Sequence, residues 1–460
     1  MKRVQRRKAE EGLRKLCETV SERTVAAVLL PELGRSAEKL QKVLTIFLHQ
    51  KRGALAFALL EALRSGQFRV PVSLANYTAG ISACARSKLW QHALKLFEAM
   101  PKAKLKPDVI IYNATISACE KGGQWQQALA MFHAMPLAMS RPDVYSFSAA
   151  ISACEKGWQW QQALLMFHTM PEAIVQPNVF SCSATISACE KGGEWQQALK
   201  LFMAMPKAKV QPNVICYNAA ISACEKGGQW QQALKLFEAM ANAKVQANDV
   251  SYSAVITSCA KQGQWWQAVS LLEAMDQAKV QPSVFCYSAA ITSFEKSGQW
   301  QKALRLLEAM PKATVRPDVV TYNACISACE KGDQWQEALA LLQVMRGARI
   351  EPKVISYNAA ISACQKSGQW QKALVLFDSM PQNQIHRNVI TYNATMSACS
   401  KRGESAWMQV LKLLEGMRFA NLQPDSISYS VSIKTCETTK RWHEALTLYR
   451  AMLEAKIEWR

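Results

Sequence analysis

Acidic residues are the scarcer charge in this 460-residue sequence: 35 Asp plus Glu stand against 55 Lys plus Arg, leaving a net charge of +20. An excess of that size points outward, to a polyanionic partner. Histidine is rarer still. There are six, and none opens a His-x-Glu triplet. No two cysteines stand in Cys-x-x-Cys spacing, so the ligand sets of a zinc knuckle, a zinc ribbon and a zinc deaminase are missing. No apolar run reaches the ~18–20 residues that a bilayer-spanning helix needs. No secretory hydrophobic segment is recognisable near the start, so the fifteen cysteines are expected to stay reduced. For the same reason the Asn-x-Thr triplets at Asn76, Asn113 and Asn393 are not expected to carry glycans. Disorder is excluded by what is abundant: 14 Trp, 14 Phe, 11 Tyr and half of all residues hydrophobic.

The abundance is periodic. Cys84, Cys119, Cys154, Cys189, Cys224 and Cys259 fall 35 residues apart, Phe294 takes the next place, and Cys329, Cys364 and Cys399 continue. Trp90, Trp125, Trp160, Trp195, Trp230, Trp265, Trp300, Trp335 and Trp370 keep the same step. After a two-residue insertion near Glu404–Ser405, Trp407, Cys436 and Trp442 resume it. Eleven units therefore fill 74–460: 74–108, 109–143, 144–178, 179–213, 214–248, 249–283, 284–318, 319–353, 354–388, 389–425 and 426–460. Upstream, 37–73 reads as a degenerate capping repeat whose second helix lacks its Trp. Residues 1–36 form a basic segment, starting with Lys2 to Lys8, that reads as part of a transit peptide or as a terminal helix.

Each unit predicts two helices. Tyr112, Ile116 and Cys119 lie at i, i+4, i+7 on one apolar face, ended by Gly122–Gly123. Trp125, Ala128, Leu129 and Phe132 repeat the pattern on a second helix that closes at Met135, before Pro136. A hairpin this short cannot bury its own apolar face, so its neighbours must stack on it. The fold class is all-α: a right-handed α-solenoid superhelix of helix-turn-helix hairpins. The tryptophans are expected in its core, and the cysteines as small buried fillers.

The opposite face of the first helix is polar. Asn113, Ser117 and Lys121 lie at i, i+4, i+8. A cation recurs at the third of these places: Arg86, Lys121, Lys156, Lys191, Lys226, Lys261, Lys296, Lys331, Lys366 and Lys401. One cation per hairpin matches one phosphate per nucleotide; the alternative is a solvated face on which the Glu that usually precedes the Lys partly offsets it. The residue after the recurrent Tyr is always short and polar: Thr78, Asn113, Ser148, Ser183, Asn218, Ser253, Ser288, Asn323, Asn358, Asn393 and Ser430. The closing residue of the repeat varies as Asp108, Asp143, Asn178, Asn213, Asn248, Ser283, Asp318, Lys353, Asn388 and Asp425. Helix capping accounts for the residue class at both places. It does not account for identities that change while the rest of the repeat barely does.

These features resemble the pentatricopeptide repeat family, whose pattern is legible from Val319, Tyr322 and Asn323 to Met345 and Pro352. The resemblance implies a protein that reads single-stranded RNA at one base per repeat. It implies that Thr78 through Asn393 above, each with its closing residue, are base-reading pairs. It implies that Ile110, Tyr145, Phe180, Ile215, Val250, Phe285, Val320, Ile355 and Ile390 sandwich the bases, and that Lys121 to Lys401 face phosphates. Through the family's preferences, the pairs spell 5′-GUAAYNGYYU-3′, with Ser253/Ser283 unread and Asn323/Lys353 in doubt. Organellar RNA metabolism, in mitochondrion or chloroplast, is the implied setting, with recruited RNA-processing proteins as further partners.

A protein-binding scaffold of the tetratricopeptide type competes with this reading, although its repeat is 34 residues long. No enzymatic activity, cofactor, metal, membrane partner or small-molecule substrate is expected.

Overall fold

The computed structural model describes residues 37–64, 72–402 and 406–455, together with Leu29. The basic start from Lys2 to Lys8, the insertion at Glu404–Ser405 and the final residues to Arg460 lie outside them. Among the described residues there are 24 α-helices and no strand. In a representative repeat the first helix spans Val109–Lys121 and the second Trp125–Leu137; the next repeat sets them at Val144–Lys156 and Trp160–Glu172. Upstream of Leu74, Ala37–His49 and Gly53–Arg64 form one further hairpin.

Local chemistry sets the helix ends. Asp108 caps the first helix by accepting from the Ile111 N–H. The turn after it needs a left-handed residue, and Gly123 supplies one at φ 71°. The second helix runs past Pro136 to Leu137, two residues beyond the end that the sequence predicts. Proline withholds one N–H from this last turn, and the turn still closes: the Pro136 carbonyl accepts from Met139 N–H at 3.0 Å, and Ser140 N–H donates to the Met135 carbonyl at 2.9 Å.

Packing divides the chain into two units. One comprises the hairpins up to Gly227 with residues 238–245; the other comprises residues 228–237 and the hairpins from 246 onward. Within each unit the first helices pack side by side in a row, and second helices lie against their own first helix and the following one. The core consequently crosses repeat boundaries. Ile116 and Cys119 share one cluster with Phe132, Met135, Ile151, Cys154 and Met170. Burial of each large side chain stabilises by roughly 1.5–3 kcal/mol. Edge-to-face ring pairs recur across boundaries within units, as in Phe97–Tyr112 at 5.0 Å, Phe202–Tyr217 at 4.8 Å and Phe377–Tyr392 at 4.9 Å.

The periodic tryptophans stop short of the fully buried core. Those at the 35-residue step from Trp90 to Trp370 are half-buried, Trp125 and Trp160 packing against the buried cluster, and Trp442 is exposed. The indoles of Trp90, Trp125, Trp160, Trp195 and Trp300 lie over the glycine ending the next repeat's first helix. A Cβ on Gly122 would meet Trp90 Cδ1 at 2.4 Å, and Gly157, Gly192 and Gly332 stand likewise to Trp125, Trp160 and Trp300. The cysteines do fill the interior. Cys84, Cys119, Cys154, Cys189 and Cys224 are fully buried, and burial pushes the Cys119 and Cys154 thiols up to about 11.

Candidate functional site

In each unit the row of first helices carries one exposed face. On it, the second residue of each first helix is apolar and stands in water. Ile110, Tyr145, Phe180 and Ile215 are 52–71% exposed in the first unit. Val250, Phe285, Val320, Ile355 and Ile390 are exposed at the same register in the second. Three residues further along each helix, hence on the same face, stands the Asn, Ser or Thr of the sequence reading.

These polar residues divide into two geometries. Asn113 is tied to the next repeat: its Nδ2 donates to Asp143 Oδ1 at 3.1 Å, and its Oδ1 accepts from Ser146 Oγ at 2.6 Å. Asn393 repeats this with Asp425 at 3.0 Å and Ser428 at 2.6 Å, and Asn358 with Asn388 at 3.3 Å and Thr391 at 2.7 Å. Asn323 receives Ser356 Oγ at 2.6 Å, but Lys353 offers no side-chain acceptor to complete the set. The hydroxyl residues turn the other way. Thr78, Ser148 and Ser183 donate to carbonyls of their own helix at Leu74, Val144 and Phe180, as do Ser253 and Ser430 at Val250 and Ser426. Ser288 instead bonds Thr321 at 2.8 Å. An Asn thus faces the groove as part of a fixed pair, whereas a Ser or Thr presents a hydroxyl oxygen as acceptor.

The closing residues also cap helices. Asp143, Asn178, Asn213, Asp318 and Asn388 accept from the backbone N–H three residues on at 2.8–3.0 Å. Asn248 and Ser283 cap in the same way. Capping and groove duty are compatible because Asp143 uses Oδ1 for the cap and for Asn113, and a carboxylate has a second oxygen. At Asp425, burial pushes the carboxyl up, but the bonds it accepts from Ser428, Asn393 and Ile427 outweigh that and hold it below its usual value.

Ser146, Ser356, Thr391 and Ser428 are functional candidates that sequence reasoning missed. They are fully buried on an apolar face, and each follows a repeat with Asn at the groove position, although Ser181 and Thr321 stand at the same place after Ser148 and Ser288. Cys216 and Cys286 follow Ser183 and Ser253 instead.

Between Tyr145 and Phe180 the face opens into a slot of about 480 Å³, also lined by Ser148, Asn178, Ser183 and Glu155. Its two exposed rings, with polar groups between them, suit a flat heteroaromatic guest with a polar edge.

The recurrent lysines lie at the ends of the same helices, and all but the half-buried Lys191 are exposed. Their partners are not the glutamates that precede them in sequence. Lys156 Nζ meets Glu120 Oε1 of the previous repeat at 2.7 Å; Lys191 meets Glu155 at 3.0 Å and Lys226 meets Glu190 at 2.7 Å. Lys331 and Lys366 pair likewise with Glu295 and Glu330, at 3.0 and 3.2 Å. Lys296 and Lys401 donate to backbone carbonyls, of Lys261 and of Gln365 with Lys366. Among the described residues no cluster of His, Cys, Asp and Glu is arranged to hold a metal ion.

Family models match along the chain. The pentacotripeptide-repeat region of PRORP matches residues 179–348, the PPR repeat family matches 107–156 and 352–401, and the pentatricopeptide repeat domain matches 67–124. The chain belongs to the pentatricopeptide repeat family. The crystal structure of the pentatricopeptide repeat protein PPR10 from maize has the same fold, with a TM-score of 0.55 and 20% identity over 98% of this chain and 68% of that one. PPR10 in complex with an 18-nucleotide psaJ RNA element aligns at TM-score 0.43 and 18% identity, over 98% of this chain and 80% of that one. The PPR domain of the Arabidopsis thaliana protein-only RNase P 1, in complex with tRNA, aligns at 0.34 and 14%, over 37% and 90%. No curated protein matches the chain. In this pentatricopeptide repeat protein, Trp–Gly contacts and Glu–Lys pairs tie successive repeats together.

Proposed function

We propose that this protein binds single-stranded RNA sequence-specifically, one base per repeat, with each base inserted between successive exposed apolar residues. The supporting observation is the repetition on one face: one apolar side chain left in water at the second residue of each first helix from Val109 onward to Val389, with a short polar side chain three residues further along. Exposed apolar surface in register marks an interaction site, and a nucleobase offers both a stacking face and a polar edge. Thr78/Asp108 through Asn393/Asp425 would read 5′-GUAAYNGYYU-3′. Maize PPR10, whose fold this chain shares, has been crystallised with RNA. The family resemblance carries the proposal that the target is an organellar transcript, mitochondrial or plastid. There the bound array would act by occlusion or by recruiting RNA-processing proteins, without chemistry of its own. Selection of bound RNAs from a random pool tests the reading. Enrichment of GUAAY is the expected result, and a pool with no enriched sequence overturns it.

A further inference from the structure

The glutamate row on the groove face has no part in the reading above. In the first unit, Glu120, Glu155 and Glu190 each grip the lysine of the following repeat at 2.7–3.0 Å. Glu120 is also held by Ser152 Oγ, which donates to its Oε1 at 3.1 Å, as Ser362 Oγ does to Glu330 at 2.8 Å. The side chains of Glu120, Glu155 and Glu190 are only 16–20% exposed. The row is interrupted. Ala85 stands where Lys121 would find its glutamate, Ala260 where Lys296 would, and Gln365 where Lys401 would.

Resting on the RNA reading, we infer that the groove glutamates are specificity determinants. They neutralise the lysines beside them, so that backbone contact alone binds poorly and the bases must supply the affinity. A phosphate meeting Lys156 also meets the Glu120 carboxylate about one ion-pair distance behind it, and the attraction largely cancels. Lys121, Lys296 and Lys401 have no carboxylate at that register, nor has Arg86, where Gln50 takes the place; these four take the phosphates unopposed. A counterion-release slope of about −3 follows for four such contacts at about −0.7 each, in place of the steeper slope of a full row.

The test uses the full chain carrying Glu120→Gln, Glu155→Gln and Glu190→Gln together, its salt slope, and two probes: an RNA recovered by selection on the parent, and oligocytidine of the same length. The triple variant is expected to bind oligocytidine about tenfold more tightly, to gain less on the selected RNA, and to steepen the slope by about 2 for three freed lysines. The charge-neutral pair Glu120→Gln with Lys156→Gln should leave both affinities near the parent's, whereas Lys121→Gln should weaken both. Unchanged or weaker binding by the triple variant overturns the inference, because a row that merely stabilises the stack moves neither the slope nor the ratio of affinities upward. Loss of affinity in the charge-neutral pair overturns it as well. A selection on the parent that recovers no RNA overturns the RNA reading itself.

Discussion

Ser146 Oγ donates to Asn113 Oδ1 across 2.6 Å, joining a fully buried hydroxyl of one repeat to a groove amide of the one before. Ser146 does not face the groove, yet it decides which way the Asn113 amide points. Ser146→Ala should therefore cost about 1 kcal/mol for the lost hydrogen bond and relax base preference at the second position. The position served by Ser148, whose hydroxyl bonds its own helix at Val144, should be unaffected. Binding to RNAs varied at one base at a time checks both halves.

Asn113→Thr leaves Asp143 in place and removes the amide that donates to it at 3.1 Å. A threonine hydroxyl would turn back to its own helix, as Thr78 does to the Leu74 carbonyl at 2.9 Å. Preference at the second base should move from U to G. Retention of U would falsify the pairwise code.

Gly192→Ala places a Cβ 2.3 Å from Trp160 Cδ1. Overpacking at a contact of this kind costs about 1–3 kcal/mol, and the denaturation midpoint should fall accordingly. Gly347 has no atom within 4 Å of its would-be Cβ, so Gly347→Ala should be neutral or slightly stabilising. The double variant Trp160→Ala with Gly192→Ala should lose less than the sum of the single changes, because each removes what the other strikes.

Alkali should unfold the protein through its thiols. The Cys119, Cys154 and Cys189 pKa values rise on burial to about 11, from an ordinary value of 9.0. Between those values the unfolded chain has lost protons that the folded chain keeps. Stability is thus complete below about pH 9 and falls as pH rises toward 11, by up to ~1.4 kcal/mol per pH unit for each thiol. Denaturant titrations at pH 8, 9.5 and 10.5 should show this fall, and Cys119→Ala should flatten it.

The hairpins were legible in the sequence because a 35-residue period combined with i, i+4, i+7 spacing leaves one way to hide the apolar face. Depth was not. Trp160 shares the stripe of Ala163, but a stripe states direction only, and the indole stops at the rim over Gly192, 32 residues away. The Glu–Lys pairing was misjudged for a similar reason. Glu155 and Lys156 are adjacent in sequence, and neighbours on a helix do not face one another; the true partner of Lys156 is Glu120. Capping by Asp143 and its tie to Asn113 were each visible as a residue class, whereas Ser146, the residue that joins them, is hidden on the buried face.

The seam between Trp125 and Gly157 bears on protein engineering. Repeats are naturally cut at their sequence period, from 109 to 143, yet that cut severs Trp125 from its glycine and Asn113 from Ser146. A graft carrying both partnerships intact must span 113 to 157, one period and ten residues more. A segment exchanged over that span would bring its own Trp–Gly packing and its own Asn–Ser tie, and a cassette cut at the conventional period would take half of each from the recipient.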